Sequence, residues 1–346
     1  MDELNTLIFR TDRIGDFIIS CPFVLSYKKN FNNRNLIAIS SEYNYEYIKN
    51  FKFIHKVYSL KNKSKFFPKL YVLLKMILLL RKIKFDHIIV LDGKKRSFFI
   101  SLFLKGKKSI LLQSRGLEFL SKIFKYKSVI NYELQNQLKN FSFLAGLLDF
   151  NINFKDLNIY DGCKFNKKFL INKNYIIIHL DEKWFTSLYY NDFTDINPTK
   201  DQLDIFVKKI LKVLDYKYDI VLTTGSKKLT VIEEFTNDFK KITENELVKK
   251  YKNNSILYFK KTSFNDLESI IKNSSFLICC EGGVSHVSHN FNVQTIAFYE
   301  KNRFQHTKYW TGHMKSLSLY ERSKMENIML DNNFFNLIQK KIFNMN

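Results

Sequence analysis

The sequence has few cysteines, and none is spaced as a metal or redox pair. The four are Cys21, Cys163, Cys279 and Cys280; the last two are adjacent, and no Cys-x-x-Cys pair occurs. Zinc sites and disulfide frameworks need cysteines paired at characteristic spacings. The pattern therefore argues against both kinds of site and favours a protein of the reducing cytosol.

Apolar runs long enough to cross a bilayer are also missing. The most apolar stretch, residues 68–84, is interrupted by Lys75 and falls short of the about 20 residues that a transmembrane helix needs. Its basic character is compatible with a membrane interface, but a helix that packs on a sheet is the favoured interpretation. The chain begins with the acids Asp2 and Glu3 and enters a strand at once, so we expect no secretory signal peptide.

Acidic residues are scarce relative to basic ones. The chain carries 56 lysines and arginines, only eight of them arginine, against 33 acids, which gives a net charge of +23. Such a surface attracts anionic partners, for example nucleic acid or membrane, although an A/T-rich genome produces the same bias. The lysines are spread along the chain and no nucleic-acid-binding motif is present, so nucleic acid is not an expected partner.

What the chain does have is an alternation of strands and helices. Strands are predicted at residues 4–9, 36–39, 56–58, 87–91 and 109–112, and again at 175–179, 220–223, 255–258, 276–280 and 295–298. Helices are predicted between them, among others at residues 16–31, 66–83, 199–214, 229–239 and 263–272. This alternation is typical of parallel sheets covered by helices.

The length of 346 residues suggests about two domains. We expect an N-terminal domain over residues 1–158 and a C-terminal domain over residues 173–325, joined by a linker around residues 155–172. The last segment, residues 326–346, contains a helical stretch at 332–343 that is suggested to pack back on the first domain. In open α/β sheets, ligands bind beyond the carboxyl ends of the strands.

The most informative segment is residues 279–289, which read Cys-Cys-Glu-Gly-Gly-Val-Ser-His-Val-Ser-His after the apolar run 276–278. A buried strand that ends in glycines at a helix start can bind an anion, because backbone N–H groups approach closely and the helix dipole favours negative charge. Diphosphate is the obvious anion. The segment therefore favours a nucleotide or nucleotide-sugar site over an ordinary strand–turn–helix junction once a second element is considered.

That second element is residues 7–22, a strand followed by a polar turn and a helix start. Gly15 lies in the turn, and Asp16 stands where an N-cap is favoured. A carboxylate at the mouth of a sheet, opposite a phosphate-type loop, can also act as a general base. Arg13 adds a cation where a phosphate could bind.

Together the two segments resemble the signatures of glycosyltransferase family 9, the bacterial heptosyltransferases of lipopolysaccharide core assembly. Residues 10–16 are similar to the family's N-terminal motif, in which a strand is followed by polar residues, a hydrophobic residue, Gly and Asp. Residues 281–286 are similar to its C-terminal motif, which contains an acid, a small residue, Gly and His in that order. Residues 85–93 and 175–184 resemble two further family strands, and the four segments follow the family's order over nearly the whole chain. The resemblance implies an α/β fold of two Rossmann-like open parallel-sheet domains facing across a cleft, the GT-B architecture.

The resemblance also implies an inverting transfer from a nucleotide-diphosphate sugar such as an ADP-heptose-like donor. Asp16 matches the family's catalytic base, and Lys183 resembles the lysine that stabilises the leaving diphosphate. No Asp-x-Asp motif stands at a strand end in the C-terminal half, so neither a metal nor another cofactor is expected. The implied donor-binding residues are Arg13, Gly15, Thr262, Glu281, Gly282, Gly283, Val284, Ser285 and His286.

The chain departs from the family pattern at three places. Asp12 and Arg13 stand where the family has small hydroxyl residues, and Asp12 would repel phosphate if it pointed inward. Glu281 replaces the Asp that binds donor sugar hydroxyls and is one methylene longer. Residues 223–226 resemble the strand-and-glycine turn near the nucleotide, but two lysines follow where the ribose-binding acid is expected. The sugar and the nucleobase therefore stay open.

The acceptor is expected on the first domain and is a lipopolysaccharide core or another anionic surface glycan. Its binding residues are expected in two basic clusters, Lys61, Lys63 and Lys65, and Lys94, Lys95 and Arg96. Such an enzyme would be cytoplasmic and peripheral on the inner face of the inner membrane. Two alternatives stay open: a GT-B transferase or epimerase that uses a uridine-diphosphate sugar, and a non-catalytic basic protein that binds membrane or nucleic acid.

Overall fold

Two α/β units follow one another along the chain, at residues 1–164 and 165–346, in a computed structural model. The structure describes residues 4–62, 65–107, 118–124, 136–152, 159–160, 174–185, 196–225 and 227–343. The predicted strand at 109–112 and most of the predicted linker at 155–172 lie outside these ranges.

The first unit is built on a four-stranded parallel sheet with the order β3-β2-β1-β4. Its strands are β1 (Leu4–Arg10), β2 (Arg34–Ser41), β3 (Lys56–Leu60) and β4 (His87–Val90). Its helices are α1 (Ile14–Asn30), α2 (Glu42–Ile48), α3 (Phe66–Leu80), α4 (Lys95–Leu102), α5 (Glu118–Ile123) and α6 (Gln137–Gly146). β1 is central and almost wholly buried, as expected for a strand covered on both faces.

Helix α3 contributes only one side to the core of the first unit. Met76, Ile77 and Leu80 are buried and belong to the same apolar cluster as Leu7 of β1. The predicted packing of this helix on a sheet is therefore confirmed for that side, while the other side is exposed. None of the helices in the described ranges has the length and apolar character that crossing a membrane requires.

The second unit is built on an eight-stranded sheet with the order β12-β11-β10-β5-β6-β9-β8-β7. Its strands are β5 (Tyr175–Leu180), β6 (Asp219–Thr224), β7 (Lys240–Thr243), β8 (Glu246–Tyr251), β9 (Asn254–Phe259), β10 (Phe276–Cys280), β11 (Gln294–Tyr299) and β12 (Leu317–Glu321). Its helices are α7 (Lys200–Val213), α8 (Thr230–Phe235), α9 (Phe264–Lys272), α10 (Gly283–Asn290), α11 (Phe304–Thr311), α12 (Met325–Leu330) and α13 (Asn332–Phe343).

The second sheet is not wholly parallel, because an antiparallel hairpin extends it beyond β9. β8 pairs with β9 and β7 pairs with β8, both antiparallel. Each connection is two residues long, with Lys252 of the second turn at a φ of 53°. Two residues can join antiparallel neighbours but not parallel ones, which need a long crossover. The predicted open parallel sheet therefore carries an antiparallel hairpin at this edge, which the sequence analysis did not include.

The C-terminal helix α13 packs within the second unit. Its buried residues Phe334, Phe335, Ile338 and Ile342 belong to that unit's apolar core. The Phe334 ring stacks 5.6 Å from the ring of Phe298 on β11. The apolar face of this helix is therefore taken up by the core of the second unit.

Candidate active site

In the second unit, Lys183 and the predicted donor segment 281–286 lie where neighbouring strands end. β10, β5 and β6 are adjacent and parallel, so their carboxyl ends lie at one edge of the sheet. Asp181 and Lys183 follow β5, Gly225 follows β6, and Glu281 with Gly282 follows β10. We call this edge the donor edge.

The turn from β10 into α10 depends on Gly282. Its φ of 153° and ψ of −157° lie in a region that is essentially limited to glycine. A Cβ atom at this position would also lie 2.5 Å from the Nζ atom of Lys183. The two glycines of the motif therefore differ. Gly282 has the backbone conformation that requires glycine, whereas Gly283 is the first residue of α10.

Ser285 holds this turn with its side chain. Its hydroxyl donates to the carbonyl of Gly282 at 2.7 Å and accepts from the N–H of Gly282 at 3.3 Å. Ser285 is fully buried and Val284 nearly so, whereas Gly283 is half-buried. The N–H groups of residues 283–285 stand in the first helical turn, where no carbonyl one turn earlier can accept from them. The polar groups that this turn offers to a ligand are therefore backbone N–H groups.

Lys183 places a cation against the same turn. Its Nζ atom donates to the backbone carbonyl of Glu281 and lies 3.8 Å from a carboxylate oxygen of Asp181. Burial disfavours the charged ammonium, but the nearby charges of Asp181 and Glu281 outweigh burial, so the pKa of Lys183 is raised. The side chain thus stays protonated at neutral pH beside the helix start.

Asp181 positions this lysine from the start of its turn. Its carboxylate accepts the backbone N–H of Lys183 at 3.1 Å and caps the short helical turn at 182–184. Burial raises the pKa of Asp181, and the charge of Lys183 opposes the rise. Cation and carboxylate therefore form one compact charged group at the end of β5.

An acid that the sequence did not suggest as a ligand lies beside the turn after β6. A Cβ atom at Gly225 would come within 3.0 Å of the Oε2 atom of Glu182. The sequence lacks an acid after this glycine, and the structure brings one from the end of β5. Only the adjacency of β5 and β6 reveals Glu182, since no local pattern links it to Gly225.

Thr262 and His286 also belong to the second unit. Thr262 follows β9, which neighbours β6, and its hydroxyl is buried without a hydrogen-bond partner among the described residues. His286 is buried on α10. Burial, together with His289 and Lys183, lowers the pKa of His286 to about 3, so its ring is neutral.

In the first unit, Asp16 stands in the first turn of α1. One carboxylate oxygen accepts the backbone N–H of Arg13 at 3.1 Å, so the residue does contribute to capping the helix. The side chain is half-buried, Gly15 is buried and Arg13 is exposed. The cap leaves the second carboxylate oxygen for other partners, and a role as a base is compatible with this geometry.

Arg10 organises this turn, although the sequence did not single it out. Its buried guanidinium donates to the carbonyl of Asp16 at 2.8 Å and to that of Leu91 at 2.6 Å. It also lies 3.1 Å from the carboxylate of Asp12. The signal that could have identified it is a charged residue directly after an apolar run at the end of a strand.

Asp12 points toward this buried arginine. Its Oδ1 atom is buried and has no hydrogen-bond partner in the described part of the chain. Burial raises the pKa of Asp12 to about 7, against the charge of Arg10, and Asp16 and Asp92 raise it further. Asp12, which stands where the family has a small hydroxyl residue, thus pairs with the buried Arg10.

Asp92 connects the same turn to helix α4. Its carboxylate accepts the N–H and hydroxyl of Thr11 at 3.1 and 2.5 Å, and the hydroxyl of Ser97 at 2.7 Å. Lys94 and Arg96 both donate to the carbonyl of Thr11, at 2.8 and 3.0 Å. Burial lowers the pKa of Lys94.

The predicted acceptor residues therefore fall into two groups. Lys94 and Arg96 are brought to the turn that carries Asp12 and Asp16. Of the other four predicted acceptor residues, Lys63 lies outside the described ranges. The remaining three are exposed, namely Lys61, Lys65 and Lys95. In the part of the chain that the structure describes, no group of three acidic, histidine or cysteine side chains is arranged to hold a metal ion.

No family model matches the chain, and no curated protein matches it by sequence. Solved structures do match it. The Escherichia coli heptosyltransferase WaaC with ADP is 12% identical, with 98% of this chain and 100% of that chain covered and a TM-score of 0.69. The fold is that of family 9 glycosyltransferases. The glycosyltransferase family 9 structure from Veillonella parvula is 12% identical, with 93% and 86% covered and a TM-score of 0.65.

A more distant similarity concerns the alternative enzyme class. The UDP-GlcNAc 2-epimerase from Methanocaldococcus jannaschii is 12% identical, with 95% of this chain and 93% of that chain covered and a TM-score of 0.50. The heptosyltransferase similarity is the stronger one by TM-score. The predicted α/β class with two Rossmann-like units, and the resemblance to family 9 at the level of the fold, are confirmed.

Proposed function

We propose that the chain is an inverting, metal-independent glycosyltransferase that moves a heptose or similar sugar from a nucleotide-diphosphate donor. The observation that carries the proposal is the contact between the Lys183 ammonium and the Gly282 turn at the start of α10. A cation and a helix N-terminus at one edge suit a diphosphate. WaaC, which shares the fold, was solved with ADP.

The donor would bind along the donor edge of the second unit. The N–H groups of residues 283–285 and the ammonium of Lys183 would hold the diphosphate, with Arg13 as a further cation. Glu281 would bind hydroxyls of the sugar. Thr262, with its unpartnered hydroxyl, would contact the nucleobase, and Glu182 beside Gly225 is our candidate for the ribose.

The transfer would be a single displacement. An acceptor hydroxyl attacks the anomeric carbon, Asp16 takes the hydroxyl proton, and the bond from that carbon to the diphosphate oxygen breaks. The diphosphate leaves with the electron pair, and configuration inverts because the nucleophile enters opposite the leaving group. Lys183 and the first turn of α10 would stabilise the charge that develops on the diphosphate.

The acceptor would be an anionic glycolipid or oligosaccharide, such as a lipopolysaccharide core. Lys94 and Arg96 already lie at the turn that carries Asp16, so an acidic group bound to them would be near the base. Exposed lysines, among them Lys61 and Lys65, would add attraction for a negatively charged acceptor. Such an enzyme would act in the cytoplasm at the membrane surface.

The deciding experiment is a thermal-shift series with ADP, ADP-heptose, GDP, UDP, dTDP and UDP-N-acetylglucosamine, followed by a transfer assay with the stabilising donor. A ligand that binds only the folded state raises the apparent melting temperature. Stabilisation by ADP and ADP-heptose supports the proposal. Stabilisation by UDP compounds alone would instead favour the uridine-dependent transferase or epimerase, and stabilisation by none would favour a non-catalytic basic protein.

A further inference from the structure

One side of helix α3 presents a stripe of large apolar side chains to solvent. Phe67 is 80% exposed, Tyr71 65%, Leu74 48% and Leu78 65%. Their spacing of four, three and four residues places them on one face of the helix. Because the core of the first unit uses the opposite side, this face is left without a partner within the described residues.

Two further helices of the first unit also expose aromatic side chains. Phe99 and Phe103 of the α4 region are 36% and 46% exposed, and their rings contact each other at 5.0 Å. Phe124, 47% exposed, follows α5 and contacts Phe98. Soluble monomers seldom expose a run of large apolar side chains such as the α3 stripe, and such surfaces mark sites of association.

The charged residues on α3 and next to it in the sequence are all basic. No aspartate or glutamate occurs between Glu46 and Asp86, nor between Asp92 and Glu118. Both segments contain many basic residues, and those exposed on or beside α3 are Lys65, Lys69, Lys75, Arg81 and Lys82. An apolar helix face whose neighbouring charged residues in the sequence are basic is complementary to a surface that is apolar inside and anionic outside.

We propose that the α3 stripe and its flanking lysines dock into the interface of a bilayer that contains anionic phospholipids. The apolar side chains would enter the boundary between headgroups and acyl chains, while the lysines extend toward the lipid phosphates. A second copy of the chain fits less well, because a symmetric dimer on this face would bring lysines against lysines. This inference rests on the membrane association stated under the proposed function and names the surface that would provide it; the vesicle test does not use donor binding or transfer.

Sedimentation with vesicles tests the docking. We expect the full chain to bind vesicles of phosphatidylethanolamine and phosphatidylglycerol at low salt, and to bind pure phosphatidylcholine far less. The L74E/L78E variant should bind the anionic vesicles at least about tenfold more weakly, because two apolar anchors become charges that the lipids repel. The K75Q/K82Q variant should lose about fivefold for each charge removed.

The matched control is I205E, because Ile205 is an exposed apolar residue of α7 in the second unit, 53% accessible. It should bind vesicles as the unmodified chain does. Equal binding by L74E/L78E, or no binding of the unmodified chain at low salt, would overturn the proposal. A dimer that L74E/L78E dissociates, without vesicle binding, would assign the face to a second copy. In every variant, the circular dichroism spectrum should equal that of the unmodified chain. The rise in melting temperature on adding the donor, which reports on the second unit, should also be unchanged.

Discussion

The Nζ atom of Lys183 donates a hydrogen bond to the backbone carbonyl of Glu281, 98 residues further along the chain. The contact joins the end of β5 to the turn that starts α10. The same ammonium lies where a Cβ atom at Gly282 would have to be accommodated. Charge and turn conformation at the donor edge are therefore coupled through one side chain, and both can be tested.

Lys183→Ala should lower turnover more than it weakens donor binding. The charge matters most when the diphosphate leaves, so its loss should reduce kcat by about 100-fold or more while the donor affinity falls by a smaller factor. Steady-state kinetics together with calorimetric titration of the donor would separate the two effects.

The control for this variant is Lys209→Ala. Lys209 is half-buried in the same unit and also donates to a backbone carbonyl, that of Met329, but it belongs to α7. Its kcat should be unchanged. If Lys183→Ala raises only the Michaelis constant for the donor, Lys183 is a ground-state contact and not a stabiliser of the leaving group.

The two glycines between β10 and α10 should respond differently to substitution. Gly282→Ala should cost about 1–3 kcal/mol in the free energy of unfolding, because the backbone conformation is almost closed to other residues, and it should displace Lys183. Gly283→Ala should be mild, since the position is an ordinary helix start. Urea denaturation of both variants measures the difference.

Gly283→Val tests the diphosphate site itself. A branched side chain at this half-buried helix start would project where the anion must approach the backbone. We expect nucleotide-sugar binding to be lost while circular dichroism stays unchanged. Calorimetric titration that shows undiminished affinity in a folded Gly283→Val protein would mean that the turn is only structural.

Asp16→Asn should abolish transfer and leave donor binding nearly intact. The amide oxygen can still accept the N–H of Arg13, so the cap of α1 is kept, but the group cannot take a proton from the acceptor. We expect turnover to fall by about 100-fold to 10,000-fold. Glu46→Gln, at an exposed acid of α2, is the control and should have full activity. Full activity of Asp16→Asn would remove the assignment of the base.

Acid should destabilise the second unit through its buried histidines. Burial lowers the pKa of His313 to about 3, with His286 and His289 contributing, and lowers the pKa of His179 to about 4. In the unfolded chain these groups titrate near about 6.5. Stability is therefore full above that pH and falls below it, by up to about 1.4 kcal/mol per pH unit for each histidine.

Urea denaturation of His313→Phe over about pH 7.5 to about pH 5 should show a shallower loss of stability than the unmodified chain. The exposed His306 offers the control His306→Gln, which should leave the slope unchanged. The raised pKa of Asp12 makes stability rise as the pH falls, because the folded chain keeps a proton on this carboxyl that the unfolded chain loses. This contribution is the same in all three proteins. An identical slope in His313→Phe would contradict the assignment to this ring.

Local patterns predicted most elements of both sheets and the positions of the two turns. The run 276–280 and the glycines after it are visible in the sequence because a buried strand and a helix start each have a local signature. Glu182 was missed as a partner of Gly225 because their proximity depends on β5 lying beside β6. For residues 68–84 the sequence left packing on a sheet and a membrane interface both open, since only the packed unit shows which face of α3 is covered.

The lysines of β7 have a consequence for how the protein behaves at high concentration. β7 is the outermost strand of the eight-stranded sheet, only four residues long, and its Lys240, Lys241 and Ile242 are exposed. A free sheet edge invites pairing with the edge of another molecule, and short strands that carry lysine discourage it. The hairpin therefore ends the sheet with repelling charges, which keeps separate copies from joining strand to strand as the protein accumulates or refolds.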